Sequence, residues 1–244
     1  MAEGIMPTEQ AMEMDRLLLI HDIVTRVTDG LYQAPIDKDK TKLILDIGTG
    51  TGIWAISIGD EFPEATVIGN DLSANMPTFV PPNVKFEVDD VESPWLYDQK
   101  FDWIFCRYMA ASIFEWPKLV NTIYDNLEPG GWAEFQDFDL QYYSDDGSLK
   151  PEDPLLFWIS TLLDAARQLK RDPNPGSKLE GWAKDAGFQN IVHKKYKIPI
   201  GGLEGLSMRL YTNVLKWKVE EILVLLAKVR KDLKNPNIHA LMDL

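Results

Sequence analysis

The chain has 244 residues, 45% of them hydrophobic, enough for one substantial core. A formal charge of −13 leaves no dominant basic face and argues against a nucleic-acid partner, whose phosphates would be repelled. One cysteine and three well-separated histidines exclude an intramolecular disulfide framework and show no metal-ligand spacing. With no secretory leader and no run of about 18 apolar residues, the expectation is a cytoplasmic protein without a membrane segment.

In chain order, Glu9 to Thr28 places Met14, Leu17, Leu18 and Val24 at helical spacing, and Asp29-Gly30 ends that helix. Lys42 to Leu45 reads as a short apolar strand, followed by a glycine turn and a helix from Ile53 to Glu61 that Pro63 stops. Thr66 to Gly69 is the second strand, ending in Asn70-Asp71, and PTFVPPNV is a proline-rich loop. Strands follow at Val84 to Val88, Phe101 to Cys106 and Trp132 to Phe138. The last two are separated by a helix from Trp116 to Asn126 and by EPGG, read as its stop signal. This alternation predicts a mostly parallel sheet with helices on both faces. Beyond Tyr142 come a polar loop, a helix at Pro154 to Leu169 and the break RDPNPG. A short helix at Ser177 to Ala186, a strand at Ile191 to Ile200 and a mostly helical stretch from Leu203 to Lys234 complete the chain. The predicted organisation is a helical cap over residues 1–40, a core over 41–140, a cap insertion over 141–176, and completion of the core with a C-terminal helix over 177–244.

Within LDIGTGTGIWA, Gly48, Gly50 and Gly52 alternate, which permits positive φ and close backbone approach to a ligand. The spacing fits neither the dinucleotide fingerprint nor the P-loop, and Asp46 stands where it would repel a phosphate and attract a cation. Asp71 and Asp90 end the next two strands, so three acids stand at three successive strand ends. A cationic adenosyl donor such as S-adenosyl-L-methionine suits this pattern. Asp71 would accept ribose hydroxyls, and Asp90 would accept from the adenine amine while the Val91 N–H meets a ring nitrogen.

LDIGTGTG, VIGNDLS, VDDVES, FDWIFCR and LEPGGWAEF resemble the successive motifs of class I S-adenosylmethionine-dependent methyltransferases. DRLLLIHDIVTRVTDGLYQAPI, FVPPNVKFEVDDVESPW and LEPGGWAEFQDF are similar to the LaeA-like methyltransferases of filamentous fungi, a group that includes regulators of secondary metabolism and tailoring enzymes. The resemblance implies a Rossmann-like α/β fold of the seven-stranded type with a helical cap. Its cofactor site would take in Asp46, Gly48, Gly50, Gly52, Asp71, Leu72, Asp90 and Val91, with Cys106 and Arg107 near the amino-acid end and Tyr32 a candidate for the methionine carboxylate. His21 stands where the family motif has a histidine and is the candidate general base. The fourth-strand phrase departs from the family in lacking a histidine at Phe105 or Cys106, and the second reads DLSANMP rather than Asp-Leu-Ser-Pro. Relatives run beyond the position of Leu244 into a final strand, so the sheet is expected to lack it.

The resulting expectation is O-methylation of a small-molecule acceptor, alone, as a homodimer or with a protein partner. Two alternatives stay open: a cofactor-binding regulator acting through protein partners, with a nuclear location, and a methyltransferase-fold enzyme catalysing a rearrangement without methyl transfer. Glu134, Gln136 and Asp137 read as acceptor-facing or as a polar strand end. The aromatics Tyr142, Tyr143, Phe157, Trp158, Tyr211 and Trp217 read as core or as an apolar acceptor pocket.

Overall fold

The computed structural model describes residues 9–200 and 214–244. Tyr211 and the Leu203 end of the expected C-terminal helix lie outside the described residues. Among those described, the elements run α1 (Glu9–Val27), β1 (Leu43–Ile47), α2 (Ile53–Glu61), β2 (Thr66–Asp71), β3 (Val84–Val88), β4 (Phe101–Arg107), α3 (Trp116–Asp125), β5 (Leu127–Gln136), β6 (Asp139–Tyr143), α4 (Pro154–Gln168), α5 (Gly176–Ala186), β7 (Lys197–Pro199), α6 (Val219–Leu233) and β8 (Leu241–Asp243). No described helix is long and apolar enough to cross a membrane.

Five strands form a parallel sheet in the order β3-β2-β1-β4-β5. The chain builds outward from β1 to β3 and then returns to β4 on the other side. This puts the topological switch point between β1 and β4, where ligands of such sheets bind beyond the strand carboxyl ends. Strand alternation sorts the side chains. Ile44, Trp103 and Phe105 pack on one face against Trp54, Ile58 and Phe62 of the α2 region. Leu45, Ile47, Ile104 and Cys106 pack on the other against Leu119, Val120 and Ile123 of α3. The Trp54 and Phe105 rings stack at 3.7 Å, tying α2 to the centre of the sheet. At the far end of α2, the Asn83 side-chain amide donates to the carbonyls of Gly59, Phe62 and Ala65, holding the helix end to the turn that leads into β2.

A third core joins the two ends of the chain. Ile20 and Val24 of α1 pack with Tyr142, Leu155, Trp158 and Leu162, and with Ile222, Val229 and Met242, so the N-terminal helix shares one cluster with α4, α6 and a small antiparallel sheet in the order β6-β8-β7.

Three expectations are corrected. EPGG is not a stop signal but part of β5: Gly130 has φ 86°, and the β4–β5 register shifts opposite it, between Phe101 and Trp103. Strands β6 and β8 went unforeseen. The strand expected from Ile191 shrinks to Lys197–Pro199, because β8 supplies its ladder there, with Tyr196 and Leu244 exchanging both backbone hydrogen bonds at 2.9 Å. Between the outer edge of β5 and residues 187–196 lies a groove of about 980 Å³ with Leu244 on its wall. Among the described residues the parallel sheet has five strands, and β7, expected to complete the core, pairs instead in the small antiparallel sheet.

Candidate functional site

The turn after β1 carries positive φ at all three glycines, 66° at Gly48, 56° at Gly50 and 76° at Gly52. They make room for different things. A Cβ on Gly48 would lie 2.3 Å from Met109 Sδ, and one on Gly52 would lie 2.4 Å from Phe86 Cζ, so those two glycines accommodate the protein's own side chains. A Cβ on Gly50 would come no nearer than 3.6 Å to Leu17 of α1, which roofs the turn.

Asp46, at the end of β1, is 3% exposed and accepts a 2.6 Å hydrogen bond from Thr49 Oγ1. Burial, reinforced by the nearby charge of Asp71, pushes its carboxyl up to about 7 against the opposing effects of Thr49 and Arg107. Asp71 fastens the turn to β2: Oδ2 accepts from the Gly50 N–H at 2.9 Å, and Oδ1 accepts from the Ser73 N–H and hydroxyl at 2.9 and 2.7 Å. A ligand hydroxyl at Asp71 would share oxygens that already hold the loop. Leu72 is 73% exposed. Asp90 is an exposed acid whose Oδ1 accepts from the Glu92 N–H at 3.0 Å, while the Val91 side chain is buried.

Three expected residues fall elsewhere or do other work. The Tyr32 hydroxyl donates to Glu61 at the far end of α2, and its ring meets Trp103 near the start of β4. Its side chain therefore points to the opposite end of the sheet from the glycine turn. Cys106 alternates onto the α3 face, where burial pushes the thiol up and keeps it protonated. His21 reaches the site from α1, with Nδ1 2.7 Å from Arg107 Nη2. Arginine only donates, so Nδ1 is the acceptor and Nε2 carries the ring proton. Burial and the Arg107 charge push this imidazole down to about 4. Its acceptor nitrogen is occupied, which leaves no free lone pair for a general base.

Arg107 ends β4 on the same face as Phe105, its register neighbours being Gln136 and, for Phe105, Asp46 and Glu134. Burial works against its charge, while the Asp46 and Glu134 carboxylates offset that cost. Glu134 accepts from the Gln33 and Ala34 N–H groups at 2.8 and 2.9 Å and from Gln136 Nε2 at 2.8 Å. Asp137, buried and pushed up to about 7, accepts from the N–H groups of Met109, Ala110 and Phe138. It organises the loop after β4, where Tyr108 and Ala111 take positive φ, and thereby sets Met109 against Gly48. Met109, Phe86 and Asp137 were not foreseen as parts of the turn's support. Only the acid directly after β5 carried a trace of this in the sequence. Among the described residues no cluster of three or more histidines, cysteines and acids could hold a metal ion.

Comparison with known proteins agrees with this geometry. The methyltransferase domain family matches residues 19–193. The methyltransferase pytC of Aspergillus terreus is 41% identical over 95% of this chain and 78% of its own. The secondary metabolism regulator laeA of Monascus pilosus is 32% identical over 94% and 69%. Among solved structures, the fold is similar to the YcgJ protein of Bacillus subtilis, with a TM-score of 0.53 and 20% identity, over 92% of this chain and 97% of that one. It is also similar to a Haemonchus contortus phosphoethanolamine N-methyltransferase in complex with S-adenosylmethionine, at 0.52 and 20%, over 94% of this chain and 51% of that one. Strand order, a positive-φ turn above a buried aspartate and these matches converge: the chain belongs to the methyltransferase domain family, within the LaeA-like class I S-adenosylmethionine-dependent methyltransferases.

Proposed function

We propose that the chain transfers a methyl group from S-adenosylmethionine to a hydroxyl or carboxylate oxygen of a small molecule of fungal secondary metabolism. The observation that carries this reading is the turn at Gly48 to Gly52, held open at positive φ over a buried carboxylate and free of basic residues. That donor set suits a cationic ligand without phosphate. Asp46 would lie by the cationic end, Gly50 would allow close approach, Asp71 and Leu72 would lie by the ribose, and Asp90 and Val91 by the adenine.

S-adenosylmethionine supplies an electrophilic methyl on a sulfonium. The chain's own work is to hold that methyl in line with the acceptor oxygen and to exclude water. Helix α1 contributes by roofing the turn, with Leu17 over Gly50 and Arg16 Nη1 donating to Tyr108 Oη at 2.9 Å. His21 serves better as a partner of Arg107 than as the base, because its accepting nitrogen is engaged.

A second reading, a cofactor-binding regulator acting through a protein partner, is favoured by the likeness to laeA, a protein named as a secondary metabolism regulator. Two measurements decide. S-adenosylhomocysteine at a hundredfold excess over its Kd adds about 2.7 kcal/mol to stability. Thermal unfolding is therefore expected to shift upward with either sulfur nucleoside and to stay put with NAD; a folded sample that ignores both sulfur nucleosides removes the reading. Transfer of labelled methyl into a fungal metabolite extract supports the enzyme, and donor binding without transfer supports the regulator.

A further inference from the structure

Helix α6 turns one face to the cap core and carries a second apolar set outward. Ile222, Leu225, Leu226 and Val229 are buried. Val219, Leu223 and Val224 are 45%, 51% and 59% exposed. Phe157 of α4 is 48% exposed as well, and its ring lies 6.2 Å from that of Trp217, just ahead of α6. Residues three and four apart share a helix face, so one outward stripe runs through Val219, Leu223 and Ala227 to Lys231 and, at the helix end, Lys234. It is apolar over the first half of the helix and basic over the second.

Charge deepens the contrast. The chain carries −13, yet lysines flank the apolar stretch on both sides: Lys216 and Lys218 before it, and Lys228, Lys231 and Lys234 after it, all exposed. The helix dipole accounts for cations in the last turn but disfavours them ahead of the first, so it does not explain Lys216 and Lys218. At the basic end lies an open hollow of about 690 Å³, lined by Ala227, Arg230, Lys231, Asp232, Lys234 and Asn235. The acid in it is engaged, since Asp232 Oδ2 accepts from the Leu155 N–H at 3.0 Å. At the other end Glu221 accepts from the Lys218 N–H at 3.1 Å, and Glu220 is the acid that remains on the outward side.

The cores of protein interfaces are depleted in lysine and rely on aromatic and arginine anchors. Lysines beside exposed aliphatic residues suit a helix lying in a bilayer interface instead. There the four-carbon stems stay in the apolar layer while the ammonium groups reach lipid phosphates.

We propose that the outward face of α6 docks on an anionic lipid bilayer, with Val219, Leu223 and Val224 entering the headgroup boundary beside Phe157, and with Lys228, Lys231 and Lys234 on lipid phosphates. The buried face of the helix stays in the cap core, so docking needs no refolding. The negative charge of the rest of the chain is repelled by the same surface and turns this face toward it.

The test is flotation of the full chain with vesicles of phosphatidylcholine alone and with vesicles of equal parts phosphatidylcholine and phosphatidylserine. The wild type should bind the mixed vesicles at least tenfold more tightly, and added salt should weaken that binding. A lysine near an anionic surface contributes about fivefold in affinity, so Lys228→Gln combined with Lys231→Gln should weaken binding to mixed vesicles by about 25-fold. Returning the exposed halves of Leu223 and Val224 to water is worth roughly 10- to 150-fold, so Leu223→Ser combined with Val224→Ser should cost that much on the same vesicles. Unfolding midpoints without vesicles check that each variant folds, and Leu223→Ala with Val224→Ala replaces the serine pair if it does not.

Absence of wild-type binding to the mixed vesicles overturns the proposal, and so does binding that both variants retain. Light scattering without lipid supplies one more outcome: a wild-type dimer that the Leu223 and Val224 variant converts to monomer, with no vesicle binding, would assign this face to a second copy of the chain and overturn the lipid assignment.

Discussion

The five-stranded sheet and the cap spend their polar groups differently. In the sheet, acids at the strand ends hold the surrounding chain: half-buried Asp71 holds the Gly50 and Ser73 backbone, buried Glu134 that of Gln33 and Ala34, buried Asp137 that of Met109, Ala110 and Phe138, and buried Asp46 the Thr49 hydroxyl. The cap joins α1, α4, α6 and the β6-β8-β7 sheet through an apolar cluster, with ion pairs such as Lys197–Asp145 and Lys195–Asp243 at its edge. A site made by backbone fixed on acids is rigid and tolerates little change. A cap made by apolar packing admits other side chains of similar volume. This difference suits one constant ligand at the strand ends and a changeable one under the cap.

The harshest way to break the rigid half is Gly52→Val. At φ 76° a β-branched residue is strained by about 1–3 kcal/mol, and its Cβ would also meet Phe86 Cζ at 2.4 Å, overpacking worth a further 1–3. We expect a total destabilisation of roughly 4 kcal/mol in chemical unfolding and no measurable binding of S-adenosylhomocysteine. Adding Phe86→Leu should return the packing part and leave the backbone part. Full recovery of stability in the double variant would show that the glycine serves only the ring.

A second test sharpens the comparison through pH. Burial raises the folded pKa of Asp46 to about 7 from an ordinary value near 3.8. The folded state therefore holds a proton between those values that the unfolded state has released, and stability falls as pH rises through that window. Above about 7 the cost is complete. Asp46→Asn keeps an acceptor for Thr49 and removes this slope, so it should gain roughly 2 kcal/mol on the wild type between pH 5 and pH 8 in urea unfolding, below a ceiling of about 4. Asp137, pushed up to about 7 as well, leaves a residual slope. S-adenosylmethionine should at the same time bind the variant at least tenfold more weakly at pH 8. Tight binding by the variant would detach Asp46 from the cationic ligand. In the wild type, affinity for S-adenosylmethionine should rise from pH 6 to pH 8 as the carboxylate forms, and less so for uncharged-sulfur S-adenosylhomocysteine.

What was legible in the residues follows the same division. Strand, turn and terminal acid succeed one another within a few residues in LDIGTGTG and VIGND, so β1 to β4, the glycine turn and the Asp46–Asp71 pair could be read locally. Pairings between distant segments could not. Arg107 meets His21 across 86 positions, and Phe86 is accommodated by both Gly52 and Gly69, which no spacing announces. Tyr32 was misplaced for a related reason. Its neighbourhood in the sequence says nothing of the direction of its side chain, which Glu61 and Trp103 settle. Strands β6 and β8 have five and three residues and gain their ladder only from each other and β7, so neither carries a pattern long enough to read.

The mildest test falls on that small sheet. Tyr143 Oη donates to Asp243 Oδ1 at 2.6 Å, joining β6 to β8, and Lys195 Nζ lies 2.7 Å from the other oxygen of the same carboxylate. Tyr143→Phe removes one hydrogen bond between half-buried groups and leaves Asp243 its lysine as a partner, which keeps the loss at the low end for such a bond, about 0.5 kcal/mol. For a domain of this size that lowers Tm by about 1–2 °C. Because the small sheet belongs to the cap and not to the glycine turn, affinity for S-adenosylhomocysteine should stay within twofold of the wild type. A parallel fall in affinity and stability would mean that β6, which follows Gln136 and Asp137 directly, passes its strain into the strand ends, and the two halves would then have to be treated as one unit.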